Sequence, residues 1–307
     1  MDKQTKNRAE GLAKTMKNIG IIGQGFVGTA VKEGLQKYFN ILTFDLNKPE
    51  FSTNTLVDIV ERCKIIFLCL PTPMDNEGKC YTGIVEEVLS EINNYCDIKD
   101  YYGNETRTIV LKSTIPPGTT KKLQKGFNRV SLVYNPEFLT EANSIEDYKN
   151  QNRIILGGPN EVTAKVKPIF SKAFPKVHVV KTDSTYAEMV KYLTNTFLAT
   201  KVSFANEMYN VCKGLGVDYD KVIEYAKLDE RLGYSHWNVP GPDGDFGFGG
   251  HCFPKDLLAL RHEANKLLIK TPMLDATHNT NTMVRTNKDW EKMEGRAIIN
   301  NLEKNEI

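Results

Sequence analysis

Residues 17–45, KNIGIIGQGFVGTAVKEGLQKYFNILTFD, determine the fold of the first half of the chain. A β-branched run ends at a glycine, a helical stretch is predicted from Thr29 to Tyr38, and a second apolar run ends at Asp45. This order predicts a β-α-β unit. The turn between strand and helix has GxGxxG spacing, which in this context binds the pyrophosphate of a dinucleotide through close backbone approach. Its residues are Gly23, Gln24, Gly25, Phe26, Val27 and Gly28.

Asp45 follows at the interval of about 20 residues where a carboxylate binds both ribose hydroxyls of a dinucleotide. A carboxylate there repels a 2′-phosphate, so the sequence predicts NAD rather than NADP as the cofactor. The alternative is a glycine-rich turn with an N-capping Asp.

Later apolar runs alternate with helical or loop segments, and they lie at residues 64–70, 107–113, 130–135 and 153–158. A parallel sheet buried on both faces requires such runs. The fold class is therefore predicted as α/β, a Rossmann-like doubly wound parallel sheet over residues 17–183, followed by a long central helix and a small helical domain over 184–307. The long helix is predicted from Thr185 to Leu215, and residues 1–16 are predicted to be a polar N-terminal tail.

Composition narrows the function classes. The net charge of +2 is too small for a nucleic-acid-binding protein, and the longest apolar run, at residues 65–70, is far too short to span a membrane. Six cysteines show neither a CxxC pair nor a zinc spacing, so no metal site is predicted. A cytoplasmic protein is expected.

The most specific segment is GFGGHCFPKD at residues 247–256. A substrate can approach Cys252 closely past the glycines, and Lys255 together with a helix that starts after Pro254 favours the thiolate needed for nucleophilic attack. Taken alone, a lone cysteine beside a loop is more often structural.

GFGGHCFPKD resembles the active-site signature of the UDP-glucose 6-dehydrogenases, a family that performs two NAD-dependent oxidations at one carbon. The resemblance extends from about Lys17 to Trp290 through the segments LCLPTPMD, LKSTIPPGTT, YNPEFLTE, EMVKYLTNTFLATK and DERLG. It implies catalytic roles for Cys252, Lys191, Asn195, Asp256, Thr114 and Glu141. It adds Pro71, Thr72, Thr114, Glu141 and Lys255 to the cofactor contacts. Substrate contacts are implied for Glu137, Phe138, Leu139, Glu141, Lys191, Asn195, Arg231, Gly249 and Cys252, with Arg231 reaching the neighbouring subunit's site.

The implied reaction converts the C6 alcohol of UDP-glucose to a carboxylate in two hydride transfers, through a thiohemiacetal and a thioester on Cys252. The CFPKD ending favours UDP-glucose among nucleotide sugars, and the long helix suggests a homodimer. The chain stops where the family's second, UDP-binding Rossmann-like domain begins, so a short form without that domain is expected.

Alternatives stay open from the residues themselves. Lys191 and Asn195 are also compatible with solvated positions on an amphipathic helix, Glu137 and Glu141 with helix-start acids, Asp256 with a charge pair to Lys255, and Arg231 with a surface ion pair. For the whole chain, the alternatives are a β-hydroxyacid or 6-phosphogluconate-type dehydrogenase and a non-catalytic NAD-binding module.

Overall fold

The computed structural model describes residues 18–99 and 106–300, and the predicted tail at residues 1–16 lies outside the described residues. The chain divides into two compact units. The first contains the described residues up to Pro71 together with Thr82–Lys191, and the second contains Thr72–Tyr81 together with the described residues from Tyr192 onward. The predicted division between residues 183 and 184 stays a prediction.

The first unit is built on one seven-stranded sheet with the strand order β2-β1-β3-β4-β5-β6-β7. Its strands are β1 Asn18–Ile22, β2 Asn40–Phe44, β3 Ile65–Leu68, β4 Arg107–Leu111, β5 Val130–Tyr134, β6 Arg153–Gly157 and β7 His178–Thr182. Its helices are α1 Phe26–Leu35, α2 Leu56–Arg62, α3 Gly83–Lys99, α4 Thr119–Gly126, α5 Ser144–Lys149 and α6 Asn160–Ala173.

Alternate residues of the strands supply two separate hydrophobic cores. Ile19 and Ile21 of β1 belong to one core, which includes residues of α1 and α6, whereas Ile22 belongs to the other, which includes residues of α2 and α3. Because side chains alternate between the faces of a strand, the two cores lie on opposite faces of the sheet. The predicted Rossmann-like α/β fold class is confirmed.

Three local features differ from the sequence prediction. Helix α1 begins at Phe26 and ends at Leu35, three residues earlier than predicted at both ends, because the GxGxxG segment itself supplies the first turn. Strand β7 was not predicted, since its side chains are half-buried or exposed and it forms no continuous apolar run. Strands β5 and β6 pair antiparallel, through Tyr134 and Gly157, in an otherwise parallel sheet.

Helix α7, Ser184–Leu215, is the predicted long helix, and the boundary between the units falls within it. The second unit also contains α8 Tyr219–Ala226, α9 Cys252–Lys266 and α10 Pro272–Val284. Its short 3-10 turns are Glu230–Leu232 and Asp289–Lys292. Among the residues that the structure describes, no helix combines the length and apolar character needed to cross a membrane.

Candidate active site

The turn after β1 has the geometry of a phosphate-binding loop. Gly23 has a φ of +90°, and a Cβ there would lie 2.4 Å from the carbonyl oxygen of Cys69. A Cβ on Gly28 would lie 1.9 Å from the carbonyl oxygen of Gly23, so both positions require glycine. Gly25, the N-cap of α1, has open space at its Cβ position, and the first turn of α1 has no acidic residue. The start of α1 therefore suits a diphosphate, because the N–H groups of a helix N-terminus and the helix dipole both favour an anion.

The Asp45 carboxylate lies directly beside this turn. Its Oδ2 accepts a hydrogen bond of 2.6 Å from the Gln24 N–H, and its Oδ1 accepts hydrogen bonds of 2.9 Å from the N–H groups of Asn47 and Lys48. A carboxylate offers about four lone-pair positions, so one remains for a ribose hydroxyl. Asp45 thus stabilises the turn and keeps acceptor capacity for a ligand. Phe26 and Val27 are the half-buried first residues of α1.

Buried charges follow the carboxyl ends of β4 and β5. Lys112 donates hydrogen bonds to Asn135 Oδ1 at 3.0 Å and to the carbonyl oxygen of Pro136 at 3.5 Å. Burial lowers the pKa of Lys112 to about 8. Thr114, three residues beyond β4, is also buried.

Glu137 and Lys191 form a buried ion pair in the first unit. Lys191 Nζ lies 2.8 Å from Glu137 Oε1, and the side chains are 3% and 5% exposed, respectively. Burial opposes ionisation of Glu137, but Lys191, through its charge and hydrogen bond, together with the Leu139 N–H and the Lys112 charge outweighs it, and the pKa of Glu137 falls below its ordinary value. The interpretation of Lys191 as a solvated helix position is therefore wrong.

The other residues of YNPEFLTE surround this pair. The Leu139 N–H donates to Glu137 Oε2 at 2.7 Å. The Phe138 ring centroid lies 4.1 Å from the Arg153 guanidinium and 5.8 Å from Lys191 Nζ. Glu141 is exposed. Neither Glu137 nor Glu141 lies in the first turn of a helix, so the helix-start interpretation is wrong for both.

In the second unit, Cys252 is the first residue of α9 and is half-buried. The prediction that this helix starts after Pro254 is wrong, because the first turn of a helix accepts proline, whose missing N–H would be unpaired there anyway. Cys252 therefore lies at the N-terminus of α9 itself, where a thiolate is stabilised.

A hydrogen-bonded cluster of buried side chains follows within one turn of Cys252. Asp256, 1% exposed, accepts a hydrogen bond of 2.6 Å from Asn195 Nδ2 on one carboxylate oxygen and one of 2.5 Å from Lys255 Nζ on the other. Asn195 is buried, so the solvated-helix interpretation is wrong for it too. The predicted charge pair between Asp256 and Lys255 exists, but it lies in the interior.

The Lys255 ammonium is electrostatically coupled to two thiols. Burial alone would lower the pKa of Lys255, yet the charges of Asp256, Cys252 and Cys80 offset this effect and raise the pKa above its ordinary value. Such coupling is mutual, so the Lys255 ammonium favours a thiolate at Cys252.

The remaining predicted site residues are more scattered. Pro71 is exposed and is the last residue of the first segment of the first unit. Thr72 is buried and begins the Thr72–Tyr81 segment of the second unit. Gly249 lies in the loop before α9. Arg231 is exposed and pairs with Asp229, which is the surface ion pair left open by the sequence. Its contact with a neighbouring subunit stays a prediction.

Sequence reasoning assigned no role to Lys112, Asn281 or Arg285. Lys112 stands at the end of a buried strand, and a lysine in such an apolar run is a usable signal. Asn281 in α10 and Arg285 directly after that helix are both buried, but they carry no comparable signal, because polar residues are common in and beside helices.

Two sequence models of one family match the chain. The NAD binding domain of the UDP-glucose/GDP-mannose dehydrogenase family matches residues 45–174, and the central domain of the same family matches residues 185–283. The chain belongs to this family. Membership does not favour the β-hydroxyacid alternative, and it identifies NAD as the cofactor, which Gly23–Gly28 and Asp45 would hold.

The chain is similar to named members of the UDP-glucose/GDP-mannose dehydrogenase family. It is 33% identical over 240 residues to the UDP-glucose 6-dehydrogenase TuaD of Bacillus subtilis, covering 76% of this chain and 49% of that protein. It is also 33% identical to a UDP-glucose 6-dehydrogenase of Rickettsia bellii, covering 75% of this chain and 50% of that protein. The chain thus spans about half the length of these relatives.

A UDP-glucose dehydrogenase from the archaeon Pyrobaculum islandicum has a similar structure. The TM-score is 0.78 at 25% identity, over 87% of this chain and 68% of that chain.

Proposed function

We propose that the protein is an NAD-dependent nucleotide-sugar dehydrogenase that oxidises the C6 alcohol of UDP-glucose to the carboxylate of UDP-glucuronate. The observation that supports this most is the position of Cys252 at the start of α9, one turn from the buried Asn195–Asp256–Lys255 cluster. The named relatives, which are UDP-glucose 6-dehydrogenases, support the substrate.

The proposed reaction has three stages. The alcohol loses its hydroxyl proton to a water molecule and a hydride from C6 to give the aldehyde, while Lys191 and Asn195 stabilise the developing negative charge on oxygen. The Cys252 thiolate adds to the aldehyde carbon, and the thiohemiacetal loses a second hydride to become a thioester. Water then cleaves the C–S bond, which releases the carboxylate and restores the thiol. When bound, NAD⁺ supplies the hydride acceptor for both oxidations.

Thr114 is proposed to orient the attacking water, and Asp256 or Glu141 to orient and deprotonate it. Asp256 is the strongest of the three, because its carboxylate is ordered by two hydrogen bonds of 2.5–2.6 Å. The Asn195 amide has a second N–H donor beside the one given to Asp256.

The test is NADH formation at 340 nm with UDP-glucose, UDP-N-acetylmannosamine and GDP-mannose. We expect two NADH per UDP-glucose consumed. Cys252→Ser should lower the rate of carboxylate formation by roughly 10²-fold or more, the scale on which groups that act on the reacting atoms contribute. One NADH per substrate with an unimpaired Cys252→Ser variant would contradict the covalent mechanism, and NAD binding without NADH formation from any of the three sugars would contradict catalysis.

We further propose a homodimer through α7. In the second unit, this helix exposes a row of large apolar side chains within about 40° of its circumference at 3.6 residues per turn. These are Leu193, Phe197, Phe204, Val211 and Leu215. Phe197→Lys should shift the molar mass in light scattering from dimer to monomer, whereas Lys213→Ala on the opposite face should not.

The proposed location is the cytoplasm. All six cysteines lie in the described part of the chain, and none of them forms a disulfide. Thiols without disulfides are typical of a reducing compartment.

A further inference from the structure

The backbone of residues 247–250, the glycine loop directly before His251 and Cys252, is held by side chains from elsewhere in the second unit. Asn206 Oδ1 on α7 accepts a hydrogen bond of 3.1 Å from the Gly247 N–H. Asn281 on α10 binds Phe248 twice, since Oδ1 accepts from the Phe248 N–H at 2.7 Å and Nδ2 donates to the Phe248 carbonyl oxygen at 3.0 Å. Asn206 and Asn281 are 1% and 3% exposed, respectively.

The far end of the loop is held by a carboxylate. Asp289 accepts hydrogen bonds of 3.0 and 3.2 Å from the Gly250 N–H. The Arg285 side chain, 1% exposed, contacts Asp289 Oδ1 at 3.4 Å and Asp243 Oδ2 at 2.6 Å. We call Asn206, Asn281, Arg285 and Asp289 the loop clamp.

The loop clamp explains two of the glycines. A Cβ on Gly247 would lie 2.2 Å from Asn281 Oδ1, and a Cβ on Gly249 would lie 2.2 Å from an Arg285 nitrogen and 2.4 Å from Asp289 Oδ1. These glycines therefore admit clamp side chains to the backbone. Gly250 differs, because its Cβ position is open and its φ is +68°.

The loop clamp leaves the backbone little conformational freedom between its last contact, at Gly250, and the Cys252 thiol. Gly250 is bound by Asp289, and Cys252, two residues later, is already the first residue of α9. The path of the loop therefore sets where α9 begins and where its first side chain is directed. A displacement of about 1 Å at a reacting group lowers rates by as much as 10²-fold.

We propose that Asn281, with Asp289, is a positioning residue for Cys252: it fixes the glycine loop so that the thiol is presented from the first turn of α9. The inference rests on the proposed role of Cys252 as the nucleophile. Neither residue contacts the reacting atoms in this scheme.

The test uses Asn281→Leu, with Asp289→Ala as a second, less buried variant. The matched control is Thr277→Val, one turn earlier on α10. Thr277 is as buried as Asn281 and hydrogen-bonds to Met273 and Thr200, but the glycine loop is not among its contacts. Cys252 alkylation by iodoacetamide is followed peptide by peptide across pH 5–9, together with kcat and KM for UDP-glucose and the melting temperature. Cys69 serves as the slow internal reference, because burial raises its pKa to about 12.

We expect all three variants to lower the melting temperature, but only Asn281→Leu and Asp289→Ala to slow Cys252 alkylation at pH 7 and to move its pH midpoint upward. In these two variants, kcat should fall about tenfold or more while KM stays within about twofold. An alkylation profile and kcat that match those of Thr277→Val would overturn the proposal. Full activity of Cys252→Ser would refute the assignment of Cys252 as the nucleophile. The alkylation experiment would still test whether Asn281 and Asp289 position the thiol, because it is carried out without substrate.

Discussion

Replacing Lys191 by Met tests whether the buried pair with Glu137 is as strongly coupled as its geometry implies. The charged atoms lie 2.8 Å apart, and both side chains are nearly inaccessible to solvent. At an effective dielectric constant of about 20, their attraction is about 6 kcal/mol, and desolvation of the two charges offsets part of it. Removal of one partner leaves the other charge buried, which costs about 3–5 kcal/mol.

Proton uptake by Glu137 sets an upper limit on the stability lost in Lys191→Met. In Lys191→Met, Glu137 can become neutral instead of remaining charged. Protonation at pH 7 of a carboxyl whose unfolded pKa is about 4.3 costs about 3.7 kcal/mol, and this limit falls by about 1.4 kcal/mol per pH unit. The destabilisation should therefore approach 4 kcal/mol at pH 7 and shrink to about 1 kcal/mol at pH 5. The direction of this pH dependence follows from the linkage between proton binding and folding. The lowered pKa of Glu137 contributes stability above the unfolded pKa, and this contribution is lost as the pH falls through the folded pKa.

Urea unfolding followed by far-UV circular dichroism measures this change. Tryptophan fluorescence is unsuitable, because Trp237 and Trp290 both lie in the second unit whereas the pair lies in the first. Lys121→Met is the matched control, since its pair with Asp183 has the same 2.8 Å separation but is exposed, and it should cost less than about 1 kcal/mol. A loss in Lys191→Met below 1 kcal/mol at pH 7, or one that does not shrink at pH 5, would refute the reasoning.

Three further predictions concern the first unit and α7. In urea titrations, the stability of the wild type relative to Lys112→Met should rise by about 3 kcal/mol between pH 8 and about pH 10.4. The reason is that Lys112, with its pKa of about 8 in the folded state, releases its proton at a lower pH there than in the unfolded chain. A constant difference in stability would contradict burial of this charge. Gly28→Ala should abolish NAD binding in calorimetry and lower the melting temperature, whereas Gly214→Ala, with open space at its Cβ in α7, should raise stability by up to about 1 kcal/mol. Asp45→Ala should weaken NAD binding by tenfold or more, since it removes acceptors from three N–H groups as well as from the ribose; unchanged affinity would contradict the assignment of Asp45 to the cofactor site.

The sheet was predictable where strands are buried on both faces. The strands β1, β3, β4 and β5 are apolar runs, and such runs carry the signal directly. Strand β7 was missed because it lies at the edge of the sheet with much of its surface exposed. The antiparallel pairing of β5 with β6 depends on contacts between distant segments, which local periodicity does not encode.

At the candidate site, residue types were predictable but partners were not. The glycine turn and the order of Cys252, Lys255 and Asp256 are local in sequence, so spacing was enough to single them out. That Glu137 binds Lys191, 54 residues away, follows only from the fold. The same holds for Asn195 and Asp256, which are 61 residues apart.

Each of these long-range contacts belongs to its own buried lysine–carboxylate cluster. One cluster contains Lys191 and Glu137 in the first unit, and the other contains Lys255 and Asp256 in the second. Buried ion pairs are weak contributors to stability, because well-packed apolar residues of similar volume are often as stabilising or more so. A fold that needed only stability would gain little from two of them. Charges held in fixed positions away from water are, however, what stabilises an oxyanion and activates a thiol. The two clusters therefore support catalysis over a purely NAD-binding role, and a Lys255→Met/Asp256→Leu double variant that is at least as stable as the wild type but inactive would show that the second cluster is maintained for chemistry.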